Sequence, residues 1–216
     1  MLPAIRNELP QQVSLAHFSL RGITVRPQLA ALEAAVQSRI EELRREYPEP
    51  AAASEVLQPA RALYRSMGID PSRRRPSSEA LLRRILQGKG LYAVNTAVDA
   101  ANLASLSYFL PVGLYDLDRV AEPEGPLVLR LGDAGEEYEG IGKGMIHVEG
   151  RPTMVDREGP FGNPSSDSYR TRVTTETSRL LFVVYAPANE PSERMREHES
   201  ASIRILREFV GGEVEE

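Results

Sequence analysis

The chain has 216 residues, with 26 Lys and Arg against 31 Asp and Glu for a formal net charge of −5, and it contains three His, no Cys and no Trp. Without cysteine there is no disulfide framework, thiolate nucleophile or thiolate metal site, and His17, His147 and His198 are too scattered to form a zinc cluster, so neither a metal nor a cofactor is expected. A hydrophobic share of 41% excludes wholesale disorder, and the length suits one domain or one domain with an appendage. No apolar run approaches the roughly 18 residues of a membrane span, and the start MLPAIRNELPQQ lacks the regions of a signal peptide. The expectation is a soluble, cytoplasmic protein without a membrane partner.

Residues 13–25 alternate apolar and polar side chains and then shift phase at Gly22, which predicts a strand with a bend at the glycine. From 27 to 47, Leu29, Leu32, Val36, Ile40 and Leu43 fall at helical spacing, and Pro48 and Pro50 stop the helix. Ser54 is placed to cap a second helix that runs to Gly68. The stretch IDPSRRRP reads as an ordered loop. Ser77 or Ser78 then caps a third helix ending near Gly88 and Gly90. Residues 97–110 form a helix that is apolar on most of its surface, as a helix buried against a sheet would be.

After Pro123 the texture switches to strands, at 127–131, 137–141, 145–148 and, as a central strand, 180–185. A charged amphipathic helix over 191–210 carries Ile203, Leu206 and Phe209 on its apolar side. Helices first and strands later, without strict alternation, indicate an α+β fold of mixed or antiparallel sheets with helices packed on them. The whole chain, 1–216, is read as a single domain. The glycines between 132 and 144 match neither phosphate-loop fingerprint, so they read as hairpin turns, and no Gly-x-Ser-x-Gly elbow occurs.

Three polar segments stand out. Asn95, Asp99 and Asn102 lie on or beside the buried helix, with Asp99 and Asn102 on one face; ligand contacts and a helix cap with backbone hydrogen bonds are both open. Tyr115, Asp116 and Asp118 form the second, where paired acids serve either proton transfer or turn capping. The third is a loop from Gly159 to Arg170 rich in small and hydroxyl residues, including Asn163, Ser165 and Asp167, which either lines a pocket or is a surface turn. The acidic balance argues against bulk binding of nucleic acid, DNA in particular. Arg73, Arg74 and Arg75, with Arg83 and Arg84 one segment later, nevertheless offer a local cationic patch or a set of solvated arginines.

VNTAVDAANLASLSYFLPVGLYDLD, residues 94–118, is similar without a gap to the pattern Val-Asn-x-x-Val-Asp-x-x-Asn followed by Leu, Pro and Phe/Tyr-Asp-Leu-Asp. That pattern marks the tRNA-binding and editing domain in the β subunit of bacterial phenylalanyl-tRNA synthetase. Residues 76–85, PSSEALLRRI, resemble the family's Pro-Ser-x-Glu-x-Leu-x-Arg-Arg helix, and Val173-Thr174-Thr175-Glu176-Thr177 before Leu180 resembles its Val-Thr-x-Glu-Thr segment. The three blocks follow family order over 76–181, leaving residues 1–60 outside the resemblance. A chain of this length cannot hold the other modules of that subunit, so the expectation is a free-standing relative and not a complete ligase.

The resemblance implies a domain that holds a pocket between sheet and helices and hydrolyses tyrosine wrongly attached to tRNA, a second sieve for a mistake that binding alone does not reject. It implies contacts to the amino acid or aminoacylated tRNA 3′ end from Asn95, Asp99, Asn102, Tyr115, Asp116, Asn163 and Ser165, and to RNA phosphates from Arg73, Arg74, Arg75, Arg83 and Arg84. The chain departs from the family at two points: Gly113 stands in the place of the family's histidine, and the loop 159–172 lacks both the Gly-Gly pair and the glutamate. Asp167 and His147 are the candidate catalytic replacements, in an aminoacyl-tRNA deacylase. The alternative is a non-catalytic amino-acid or small-molecule binding protein on the same scaffold, with the matched Asn and Asp residues bonding backbone. A third reading is a partner-binding module that uses the helix in 191–216.

Overall fold

The apolar run 180–185 needs cover on both faces, and the computed structural model, which describes residues 2–49, 51–121 and 126–215, shows how it is supplied. In chain order the elements begin with β1 (Ile5–Asn7), β2 (Val13–Arg21), α1 (Ala30–Glu46), α2 (Gln58–Arg65), α3 (Ser77–Leu86), α4 (Thr96–Tyr108) and β3 (Val112–Asp116). There follow β4 (Leu127–Leu131), β5 (Glu137–Gly140), β6 (Gly144–His147), β7 (Pro152–Asp156), β8 (Gly159–Asn163), β9 (Ser166–Asp167), β10 (Arg179–Pro187), α5 (Ser192–Val210) and β11 (Glu213–Val214). β10 lies inside a four-stranded antiparallel sheet of order β11-β2-β10-β3. A five-stranded sheet of order β1-β4-β7-β8-β9 packs across it, antiparallel except for the β1–β4 pair.

Successive side chains of a strand point to opposite faces, so β10 divides its apolar residues between two cores. Leu180, Phe182, Val184 and Ala186 join Phe18 and Leu20 of β2 against the alanines of α4 and Leu206 and Phe209 of α5. Leu181, Val183 and Tyr185, with Tyr115 of the adjacent β3, face the second sheet, where they meet Leu129, Met154 and Phe161. Burial on both faces is why this strand reads as a continuous apolar run instead of alternating. A third cluster, Ile40, Leu43, Leu82, Ile85, Leu106 and Phe109, fastens α1 and α3 to the outside of α4.

The structure corrects several expectations. Ser54 sits in a short 3-10 turn and caps nothing. α2 starts later, with Pro59 in its first turn, because proline needs no amide partner there and cannot continue a helix from upstream. Ser77 and Ser78 lie inside α3, whose N-cap is Pro76, and their buried hydroxyls have no hydrogen-bond partner. The segment read as a loop from Gly159 is two strands, β8 and β9, joined by a turn in which Asn163 Oδ1 accepts from the amides of Ser165 and Ser166. The 145–148 strand is observed as β6 over Gly144–His147, a hairpin with β5 that leaves Met145 51% exposed, while Val148 beyond its end is fully buried. Pro50 and Pro123, read as a helix stop and a texture boundary, lie outside the described residues.

Residues 1–60 are no appendage: β2 pairs with β10 along its length and β1 forms an edge of the second sheet. The bend expected at Gly22 is present, with a φ of +66° that is open to glycine at little cost, but the strand stops at Arg21 and does not continue to 25. The apolar side of α5 is turned inward, with Leu206 and Phe209 buried, so it offers no free face to a partner.

Candidate functional site

α4 begins at Asn95, whose Oδ1 accepts from the amides of Ala97 (3.1 Å) and Val98 (3.0 Å) while Nδ2 donates to the carbonyl of Val173 (3.2 Å). The side chain thus caps the helix and ties it to the strand approach at 173. Asn95→Ala removes the cap and leaves the Val173 carbonyl unpaired. The expected loss is about 1–2 kcal/mol, seen as a fall of about 2–8 °C in Tm by calorimetry. Asp99 accepts from the Val94 amide at 3.1 Å, and burial, its largest influence, raises its pKa. Asn102 lines the cavities on either side of α4.

One of these cavities, about 440 Å³, lies between α3, α4, β3 and the β8–β9 turn. Its wall is mostly apolar, with Leu81, Val98, Val112, Leu114 and Val173, and its polar groups include Asn95, Asn102, Ser165, Ser166, Asp167 and Arg172. Asp167 is the one acid in this wall among the described residues. Its Oδ2 accepts from the Leu114 amide at 3.3 Å, while Oδ1 is buried without a hydrogen-bond partner. Burial pushes its pKa up to about 7, against smaller downward pulls from the Leu114 amide, the Tyr115 hydroxyl and Lys143. A buried, unpaired carboxylate oxygen in a cavity wall is expensive for the fold and marks the residue as a candidate for chemistry.

The other proposed residues are distributed unevenly. Tyr115 is fully buried behind the cavity, its hydroxyl 2.9 Å from that of Tyr185 and its ring edge-on to Phe161. Asp116 is scaffold: it accepts from Thr177 Oγ1 at 2.6 Å and the Asp118 amide at 3.1 Å, and sits 3.4 Å from Arg119. Asp118 pairs with Arg179 at 3.3 Å. His147 lines neither this cavity nor the cationic one described next; exposed on β6, it pairs with Glu137 at 2.8 Å. Gly113 is a position where close approach forbids a side chain, since a Cβ there would lie 2.2 Å from the Tyr115 hydroxyl.

A second cavity of about 350 Å³ backs onto the first, and Ser165 and Ser166 line both. Arg73, Arg74 and Arg75 line it as the run of arginines suggested, together with Asn163 and two cations that sequence reasoning missed, Lys143 and Arg151. Lys143 Nζ donates to Ser166 Oγ at 2.8 Å. Arg83 and Arg84 are elsewhere: Arg83 pairs with Glu79 at 3.0 Å and Arg84 stacks on Tyr92 at 3.7 Å. Nothing local marks Lys143 or Arg151, because each is a lone cation, one at the turn of the β5–β6 hairpin and one just before β7, and only the pairing of the sheets brings them to the site. Ser166, within the 159–170 segment, and Arg172, two residues beyond it, are further pocket residues not among the expected contacts.

The model of the B3/4 domain, a domain found in the β subunit of phenylalanyl-tRNA synthetase, matches residues 59–215, more than half of the chain. No curated protein sequence matches. Among solved structures the chain is similar to an N-terminal fragment of the phenylalanyl-tRNA synthetase β subunit from Pyrococcus horikoshii. The TM-score is 0.52 at 14% identity, over 98% of this chain and 50% of that one. The chain thus spans about half the length of that fragment, and the likeness is one of fold, residues 1–60 included. With a family model over α2 to β11 and a synthetase fold around it, the chain belongs to the B3/4 domain family.

Proposed function

We propose that the cavity between α4 and the β8–β9 turn binds the aminoacylated 3′ end of a tRNA and that Asp167 acts there as general base in hydrolysis of the ester. The observation that carries this reading is the Asp167 carboxylate, set in a mostly apolar wall with one oxygen unpaired and a pKa raised to about 7. A base with that pKa is about half ionised at neutral pH, which suits proton abstraction from water as it attacks an acyl carbon. Leu81, Val98, Val112 and Leu114 offer apolar cover for an amino-acid side chain, and Asn95, Ser165 and Arg172 offer polar groups for the ester and ribose. The pocket's kinship to a synthetase β-subunit domain supports the choice of substrate class.

The test is deacylation of tRNAs carrying correct and incorrect amino acids by the purified chain. Asp167→Asn is expected to slow release by about 10²–10⁴-fold, the usual contribution of a positioned base. His147→Ala, outside the cavity, is expected to leave the rate unchanged. The wild-type rate should rise with pH through about 7 and then level as Asp167 ionises. Release that is insensitive to Asp167→Asn would sink the catalytic assignment.

A second reading is favoured by Gly113. The Tyr115 hydroxyl occupies the space that a side chain at 113 would need, so the family's histidine has no room to be restored without moving a buried tyrosine. A pocket that lost this group and kept its apolar wall would bind an amino acid or its ester without cleaving it. Binding without release in the same assay identifies that case.

A further inference from the structure

The arginines that lie in or between the packed elements meet acids: Arg61 and Arg83 meet Glu79, Arg130 meets Glu136, Arg170 meets Asp156 and Arg179 meets Glu215. The cavity behind the β8–β9 turn is lined differently. Five cationic side chains, Arg73, Arg74, Arg75, Lys143 and Arg151, line it with no carboxylate in its wall among the described residues. Arg73 leans at 3.7 Å on Asp70, which is not part of the wall, while Arg74, Arg75 and Arg151 have no ion pair among the described residues.

Gathering like charges in a recess costs free energy, since each guanidinium raises the potential felt by the next and loses water as well. Arg151 shows the cost directly: burial, and then the charge of Arg74, lower its pKa. A net charge of −5 makes the concentration of positive charge here more pointed, because acids are plentiful elsewhere on the chain and none is placed in this wall. The neutral polar groups of the wall are already engaged, with Ser165 Oγ donating to the Arg75 carbonyl at 2.9 Å, Ser166 Oγ to the Ser165 carbonyl at 2.6 Å and Asn163 Nδ2 to the Tyr138 hydroxyl at 2.8 Å, so the donors open to a ligand are the cations. Arginine forks and a lysine ammonium gathered in one recess are the chemistry that holds phosphate.

We propose that this cavity is a binding site for a phosphate group. The assignment stands on the charge geometry and does not depend on hydrolysis in the neighbouring cavity. Because Ser165 and Ser166 form the wall between the two, a ligand that fills both carries a phosphate on one side of the β8–β9 turn and an apolar or acyl group on the other. Two sources share this chemistry, a phosphodiester of an RNA 3′ end and a free phosphomonoester.

The experiment is calorimetric titration of the full chain at fixed ionic strength with inorganic phosphate, adenosine 5′-monophosphate and a short oligoribonucleotide ending in CCA. Saturable one-to-one binding is expected. An Arg74→Met, Arg151→Met double variant with an unchanged melting temperature should weaken it by at least about tenfold, a difference of one logarithmic step in Kd. Lys143→Met supplies a second reading should the double variant fold poorly. The control is Arg45→Met with Arg204→Met, which removes the same charge from exposed helix positions and should leave binding intact. The oligonucleotide binding more tightly than the monophosphate names RNA as the source; the reverse order names a phosphorylated small molecule. Absence of saturable binding to all three probes, or equal weakening in the control, overturns the site. Deacylation measured on the same variants separates the two assignments: activity without phosphate binding removes only this one, and phosphate binding without activity removes only the hydrolytic one.

Discussion

Between pH 4 and pH 8 the wild-type chain is expected to lose about 4 kcal/mol of stability that an Asp167→Asn variant retains. Burial raises the folded-state pKa of Asp167 to about 7 from an ordinary 3.8. In that interval the folded protein holds a proton that the unfolded chain has released, so stability falls as pH rises, by about 1.4 kcal/mol for each unit. Below the lower value both states are protonated and nothing is lost; above about 7 the full cost is present. Asparagine keeps an acceptor for the Leu114 amide, now at 3.3 Å from Oδ2, and carries no charge to bury. Its amide nitrogen brings a constant cost where Oδ1 stood unpaired, and that offset does not vary with pH. The measurement is urea unfolding of both proteins across the pH series, read as the difference between them, in which every other titrating group cancels. Parallel curves would show Asp167 to be an ordinary carboxylate and would remove it as a general base.

Glu79→Ala should destabilise the fold by about 3–5 kcal/mol, the range for removing one partner of a buried ion pair. Glu79 is only 1% exposed and receives Arg61 through two hydrogen bonds of 2.8 Å and Arg83 through one of 3.0 Å. It joins α2 to α3 and so supports the wall that carries Ser77 and Leu81 into the apolar cavity. Burial acts most strongly on Glu79 and raises its pKa, yet the two arginines together outweigh it and hold the carboxyl below its ordinary value. The stabilisation is therefore fully present above the ordinary glutamate range and is lost as pH falls below it and through the lowered folded-state value. Alanine leaves Arg61 without its fork, whereas replacing Arg61 by Met and Glu79 by Leu together should recover most of the loss, because a packed apolar pair costs no charge desolvation. Unfolding curves of the single and double variants decide this. A loss below about 1 kcal/mol in Glu79→Ala would mean that the pair behaves as a surface salt bridge.

The two effects also mark where sequence reading succeeded and where it failed. Glu79 sits in a helix whose spacing was plain, and Asn95 stands immediately before a helix with the side chain best suited to cap it; both features are local. Asp167 was singled out for lying in a polar loop, but the loop proved to be a pair of short strands, hidden by a glycine, a proline and serines that carry little strand preference. His147 is near the loop in sequence, but the hairpin carries it to an exposed edge with Glu137. Arg83 and Arg84 were grouped with Arg73, Arg74 and Arg75 by proximity along the chain. A helix turns successive side chains to different neighbours, and those two found Glu79 and Tyr92 instead.

The amino-acid sequence by itself determined the elements whose pattern repeats within a few residues: the helices at 30–46, 77–86, 96–108 and 192–210, the bend at Gly22, and a central strand at 180–185 with both faces covered. Helical and strand periods are local properties of the backbone, so they are written into neighbouring side chains. The tertiary structure alone decided which charges are satisfied. It set the Leu114 amide, 53 residues distant, against Asp167, and brought Arg151 to the arginines of the 73–75 loop. The free energy of a charge depends on what surrounds it in space, and those surroundings come from strands and loops remote in the chain.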